Sequence, residues 1–457
     1  MKYNVLDYGA KPSEKELQTA GIQKAVDECF THGGGTVVVP KGVYLTGDIR
    51  LRSNVTLYLE SGAHLLGSQN PLDYFNHRSD KIEPLRPEQI TEAPYVHLST
   101  IKGETKYEEN KTEYRFKRIP ASRWNNGLIR AIDATNVSII GEEGSIIDGN
   151  NCFDEIGEEL FRGPHAMTFF NCKNIVLKGY TVQNSANWAH NMLYTDNITM
   201  DGVTVLAGHD GFDAAVCNNI TITNCTFHTG DDSIAGFGNE NVYVADCEIN
   251  SACSAFRFGG TNVTIERCHM YAPCKYSFRG PMSMEEKRAC APSPRGCGRN
   301  NMLSAFTYYA DYSLPIKVKP GNIIMRDCKI DNADRLLHYN YSGNETWQKN
   351  RPLADITFDN IVATDVKMPL HAYGSPAEPI ELTIKNSKIV FTEEARGSEF
   401  IQAGYFSKIN LYDLKTNING ETIVKTWSEG EINVKNVEHE AKNISVMSEN
   451  AFECRPI

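Results

Sequence analysis

Long apolar runs are missing from this 457-residue chain: no 18 consecutive apolar residues occur, so no membrane span is expected. Positive charge is also scarce. Forty-six Lys and Arg stand against 57 Asp and Glu, and the net charge of −11 disfavours a nucleic-acid partner bound through a basic surface. The start, MKYNVLDYGAKPSEKEL, lacks both an apolar core and a small-residue cleavage site, which predicts a cytoplasmic chain. No CxxC pair occurs among the 13 cysteines, so neither a metal nor a cofactor is assigned. The roles of Cys253, Cys274, Cys290 and Cys297 and the oligomeric state stay open.

What is present is a repeat. Segments open at Asn197, Asn219, Asn241 and Asn262, with offsets of 22, 22 and 21 residues, and similar openings occur at Asn136, Asn174, Asn322, Asp355, Glu381, Lys408 and Glu431. Each unit alternates apolar and polar residues over a few positions and then passes through Asn, Asp, Cys or Gly into another short run, which is strand periodicity. Repetition at this period predicts a solenoid whose turns bury their apolar faces against one another. The expected fold is an all-β right-handed parallel β-helix forming one domain over residues 1–457. A leucine-rich repeat would need regular Leu and a helix per unit, whereas these units are rich in Ile, Val, Thr and Asn. Cys225, Cys247, Cys268 and Cys328 share one phase and predict an inward stack of reduced thiols.

Residues 1–70 read as a cap and the first coils. Ser13 with Glu16 forms a capping box, and Leu17, Ala20, Ala25, Cys29 and Phe30 line one face of a helix that stops at His32-Gly33-Gly34-Gly35. Such a helix would plug the apolar end of the solenoid. Residues 70–128 and 271–320 read as loop insertions that wall a cleft.

The most informative stretch is 208–238, where Asp210 and Asp213 precede Asp231 and Asp232 by one repeat. Over most of its length the chain resembles glycoside hydrolase family 28, the polygalacturonases and rhamnogalacturonases. The resemblance is carried by GHDGFD (208–213) for the family's NTDGxD, by GDDSIA (230–235) for GDDC[IV]A, by NSANWAHNM (184–192) for NSPxWxxH, and by the N-terminal DYGA…GGGTVVVPKGVYLTG. It implies that Asp231 is the general acid and that Asp210 and Asp232 position and deprotonate water, with inversion of configuration. Asp213 would brace the turn. The residue types suit the reaction: the leaving oxygen needs a proton while a nucleophile attacks the opposite face, and crowded carboxylates hold different protonation states. Against this stands the abundance of Asp and Asn at β-helix turns for local hydrogen bonding alone.

The chain also departs from the family. The region of the family's GHG reads SACSAFRFGG (251–260), without His, and the region of its RIK reads KYSFRGP (275–281), which keeps Arg279 but has Pro281 in place of lysine. The cationic grip on a substrate carboxylate is thereby halved. Arg257 could replace that charge, hold a catalytic Asp ionised, or form a surface ion pair. His209, His190 and His228 could supply the missing imidazole or be structural. Trp188, Phe237, Phe256, Tyr271 and Tyr276 are sugar platforms or core. The expected activity is exo-acting, inverting hydrolysis of a pectic or related oligosaccharide, with the sugar at the cleaved position not necessarily a uronate. A polysaccharide lyase, or a carbohydrate-binding β-helix without turnover, stays open.

Overall fold

The computed structural model describes residues 1–74, 123–154, 162–276, 278, 301–310, 319–343 and 350–450. Its strands join one sheet of 35 strands, and the registered pairings among the described residues are parallel. The chain is a parallel β-helix, right-handed as parallel crossovers are. Contacts divide it into two compact units. The first takes in the described residues up to Asp231 together with Lys275, Tyr276 and Phe278; the second takes in Asp232 to Cys274 and the described residues from 301 onward.

Three strands make each coil of the first unit, and each pairs with its counterpart one coil on. His165–Phe170, His190–Leu193 and Phe212–Ala215 form one ladder. Lys173–Lys178, Asp196–Asp201 and Asn218–Thr223 form the second, and Thr181–Gln183, Thr204–Ala207 and Thr226–Thr229 the third. Side chains of the first ladder that point inward stack by register: Met167, His190 and Phe212 form one row and Phe169, Met192 and Ala214 the next, all fully buried.

The Asn that opens each repeat has a structural cause. Asn136, Asn174, Asn197 and Asn219 all sit at φ between 57° and 59°, a left-handed corner that Asn tolerates better than most residues. Each amide donates to the Asn one coil earlier: Asn174 to Asn136 and Asn197 to Asn174 at 2.8 Å, and Asn219 to Asn197 at 2.9 Å. The corner after the first ladder demands the same backbone of Asp133, Asn171, Tyr194 and even the β-branched Val216.

The helix runs from Thr19 to Thr31 and buries Ile22, Ala25, Val26 and Cys29. The expected cap differs. Ser13 Oγ does accept from the Glu16 amide at 3.0 Å, but the helix starts six residues later, and its N-cap, Gln18, makes no side-chain cap. Ser13 is held extended instead, bridging Tyr44 with its amide on Val43 O at 2.7 Å, and so it cannot enter a helical turn. Leu17 and Phe30, expected on the buried face, are 47% and 46% exposed.

In the second unit a parallel ladder runs through Ile234–Ala245, Ser254–Glu266, Met302–Tyr308, Ala333–Asn340 and Leu370–Tyr373. Met302–Tyr308 lies within the expected insertion 271–320, so that segment is not all loop. Met302, Phe306 and Tyr308 are fully buried, and Phe306 pairs in register with Phe256 on one side and Leu337 on the other, although the surrounding Pro-, Gly- and Arg-rich sequence hides them. The expected thiol phase is present: Cys225, Cys247, Cys268 and Cys328 are buried and reduced. Each follows a left-handed residue (Asn224, Asp246, Arg267, Asp327), and its Sγ–H donates to the carbonyl two residues back, at 3.1 to 3.4 Å. At Thr223, Glu266 and Arg326 the thiol is a second donor to a carbonyl that already accepts an amide from the neighbouring coil.

Candidate active site

In the first unit the candidate residues collect in the turns that lead into the first ladder. The register Met167 to His190 to Phe212, taken two residues earlier, gives His165, Trp188 and Asp210 the same repeat position on successive coils. Asp210 is 5% exposed, and its peptide oxygen accepts the Ala189 amide at 2.9 Å, so its turn is tied to the coil below. Trp188 is half-buried, edge-on to Trp124 at 5.2 Å and 5.4 Å from the His165 ring. Arg162 lies over both indoles at 5.8 and 6.0 Å and donates to Asn187 Oδ1 at 2.9 Å. Arg162, Trp124 and His165 were not anticipated, because Trp124 comes from a different coil from the other two and the three belong to no common motif.

The three histidines part company. His190 points into the core, where its Nε2 is 3.0 Å from the Tyr180 hydroxyl and its Nδ1 is 2.9 Å from Gly211 O. Burial holds the imidazole neutral, lowering its pKa to about 4 against a partial opposing effect of the Gly211 hydrogen bond. It is therefore no surrogate for the missing cleft histidine; it anchors the residue next to Asp210 from inside. His209, expected at the substrate, is 0% exposed and packs edge-on to Phe153 at 6.3 Å and Phe278 at 6.1 Å, supporting the same turn. His228 is half-buried, with Nε2 3.4 Å from Lys275 Nζ.

A pH prediction follows for His190. A group whose folded pKa lies below its unfolded value stabilises the fold above the unfolded value, and that stabilisation is lost as pH falls toward the folded one. The contribution from His190 is thus complete above pH 6.5 and disappears toward pH 4, and a shift of this size corresponds to about 3 kcal/mol. Chemical denaturation across this window is expected to show a shallower acid loss in His190→Gln than in the wild type. Equal slopes would show that the imidazole is not held neutral.

Asp213 lies on the strand itself rather than in the turn, 8% exposed and registered with Asn191, whose amide donates to Asn125 Oδ1 at 3.1 Å. Tyr276 is 3% exposed and donates to Asn184 Oδ1 at 2.8 Å, a strut rather than a sugar platform. Asp231, the last residue of this unit, is half-buried, and its carbonyl accepts the Thr229 hydroxyl at 2.9 Å.

The second unit begins at Asp232, which is 1% exposed. Its Oδ1 accepts the Ser254 amide at 3.0 Å and its Oδ2 lies 3.5 Å from Arg257 Nη1. The Arg257 guanidinium sits 4.2 Å from the Tyr309 ring centroid, and Tyr309 meets Phe237 edge-on at 5.5 Å. Arg257 is thus not a surface pair: it is layered between a carboxylate and an aromatic face. Phe256 is core, stacked on Phe306 at 6.3 Å. Tyr271 donates to Glu248 and stacks on His269 at 4.8 Å. Cys253 and Cys274 are buried and reduced, while Cys290, Cys297 and the expected substrate ligand Arg279 lie outside the described residues.

Residues 97–252 match the family model described as glycosyl hydrolases family 28, and residues 2–64 match the one described as rhamnogalacturonase A/epimerase, pectate lyase-like. An exo-poly-alpha-D-galacturonosidase of Dickeya chrysanthemi is 29% identical over 52% of this chain and 42% of its own length. A probable polygalacturonase of Vitis vinifera is 27% identical over 51% of this chain and 43% of its own. The chain therefore spans less than half the length of these curated relatives. Among solved structures, the Yersinia enterocolitica family 28 exopolygalacturonase aligns with a TM-score of 0.60 at 19% identity, covering 96% of this chain and 78% of that one, a likeness of fold.

Proposed function

We propose that this chain, which belongs to glycoside hydrolase family 28, hydrolyses an O-glycosidic bond in a pectic or related oligosaccharide, acting from a chain end and inverting the anomeric carbon. The observation that carries this reading is the environment of Asp232: a buried carboxylate held by a backbone amide and a guanidinium, next in the chain to a half-buried Asp231. A carboxylate so held is fixed in orientation, as a group that receives a proton from water must be. Asp231 takes the remaining role, that of the general acid. Asp210 stands 22 residues before Asp232 in the sequence, one repeat length. Asp210 and Asp232 then share the orientation and deprotonation of the attacking water, and Asp231 protonates the leaving oxygen.

The surroundings suit an end-on substrate. Trp188, one coil below Asp210, offers an indole braced by Trp124 and Arg162 as a wall for the terminal sugar. The test follows product anomers by NMR during turnover of galacturonate oligomers and neutral pectic oligosaccharides. Release of single sugars with the inverted anomer is expected. Retention, an unsaturated product absorbing in the ultraviolet, or a ladder of internal fragments would each overturn part of the reading.

A further inference from the structure

We propose that the last described coil of the second unit is a self-association surface: residues 431–435 pair antiparallel with the same residues of a second copy of this chain, across a two-fold axis at Asn433.

Among the described residues this coil is registered on one side only. Glu431–Glu438 pairs with Phe406–Thr416, and Asn443–Met447 pairs with Thr422–Thr426. Side chains that point toward the core therefore meet solvent. Ile409 and Leu411 are fully buried, whereas their registered counterparts one coil on are exposed in part: Ile432 is half-buried and Val434 is 37% exposed. Met447, registered with the buried Thr426, is 58% exposed. A strand edge of this kind, with apolar side chains beside it, is a template for pairing.

The residues along the edge say which partner fits. The strand is straight from Glu431 to Lys435 and turns at Asn436, whose φ is 54°. In an antiparallel pair centred on Asn433, Glu431 of each copy stands opposite Lys435 of the other, Ile432 stands opposite Val434, and the two Asn433 amides face each other. Alternation puts the members of each pair on the same face, Ile432 and Val434 on the core side with Ile409 and Leu411, and Glu431, Asn433 and Lys435 on the outer side. Glu431 and Lys435 are both exposed, and Glu431 Oε1 accepts the Asn433 amide at 2.9 Å within its own copy. Opposite charges directly across an antiparallel pair stabilise it, and like charges destabilise it. An edge that is only guarded against pairing needs charge of either sign. Opposite signs at mirror positions instead select a second copy, because in a two-fold contact each residue meets its partner's counterpart twice.

Sedimentation of the whole chain across the micromolar range, with thermal unfolding showing that each variant is folded, tests the pairing. The wild type is expected to form a concentration-dependent dimer. Glu431→Lys and Lys435→Glu each set like charges across the axis twice and are expected to weaken association about tenfold or more. The double variant, which exchanges the two charges, restores the opposition and is expected to associate within about threefold of the wild type. A wild type that stays monomeric overturns the proposal, since solvent or this chain's own residues then cover the edge. Single variants that dimerise as tightly as the wild type, or a double variant as weak as the single ones, overturn it as well.

Discussion

Replacing Asp231 by Asn is expected to lower kcat about 10²–10⁴-fold while leaving KM within a few-fold of the wild type, the loss typical of removing a positioned general acid. Asn keeps the size and much of the hydrogen bonding of Asp231, whose carbonyl contact with Thr229 does not involve the side chain. The change therefore isolates the proton. Substrates whose leaving group departs without protonation, such as nitrophenyl glycosides, should recover a large part of the lost rate. Asp232→Asn should lose a comparable factor on both substrate types, because a base is needed whatever the leaving group. If Asp231→Asn retained full kcat on oligosaccharides, or if the activated substrate gave no recovery, Asp231 would not be the acid.

The second large effect is structural. Asn197→Ala is expected to destabilise the fold by about 2–4 kcal/mol. It removes one bond donated to Asn174 and one accepted from Asn219, each contributing about 1 kcal/mol, and leaves a Cβ without a local amide in a left-handed corner, which costs about 1–2 kcal/mol. Asn197→Gly should recover the backbone part alone. Denaturant midpoints of the two variants separate the contributions. Equal midpoints would mean that the φ of 57° carries no penalty, and a loss below about 0.5 kcal/mol in both would mean that the amide ladder contributes nothing.

Period and corner chemistry were legible in the chain because they are local. An Asn every 22 residues, followed by alternating apolar positions, reports a repeated left-handed corner and a strand, and the structure has both at Asn174, Asn197 and Asn219. The thiol phase was legible for the same reason. Less visible were features that depend on a partner distant in sequence. Ser13 has the pattern of a capping box, yet pairing with Tyr44 holds it extended. Met302–Tyr308 has only seven residues of alternation among breakers, and its identity as a strand comes from its neighbours at 254–258 and 333–338.

The candidate site divides along the same line. Motifs named Asp210, Asp231 and Asp232 as candidates, because a motif is read along the chain. Nothing in the text separated His190 from His209 as to environment, or linked Arg257 to Tyr309, 52 residues on.

By itself, the amino-acid order determined the coil length, the corners and the position of each acid within its coil, since these follow from backbone preferences and side-chain size over a few residues. Which side of the ribbon each group faces was decided only in three dimensions. Every left-handed corner resets the alternation, so counting along the chain cannot tell inward from outward, and burial against the next coil makes the choice. That choice sends His190 into the core and sets Arg257 between Asp232 and Tyr309.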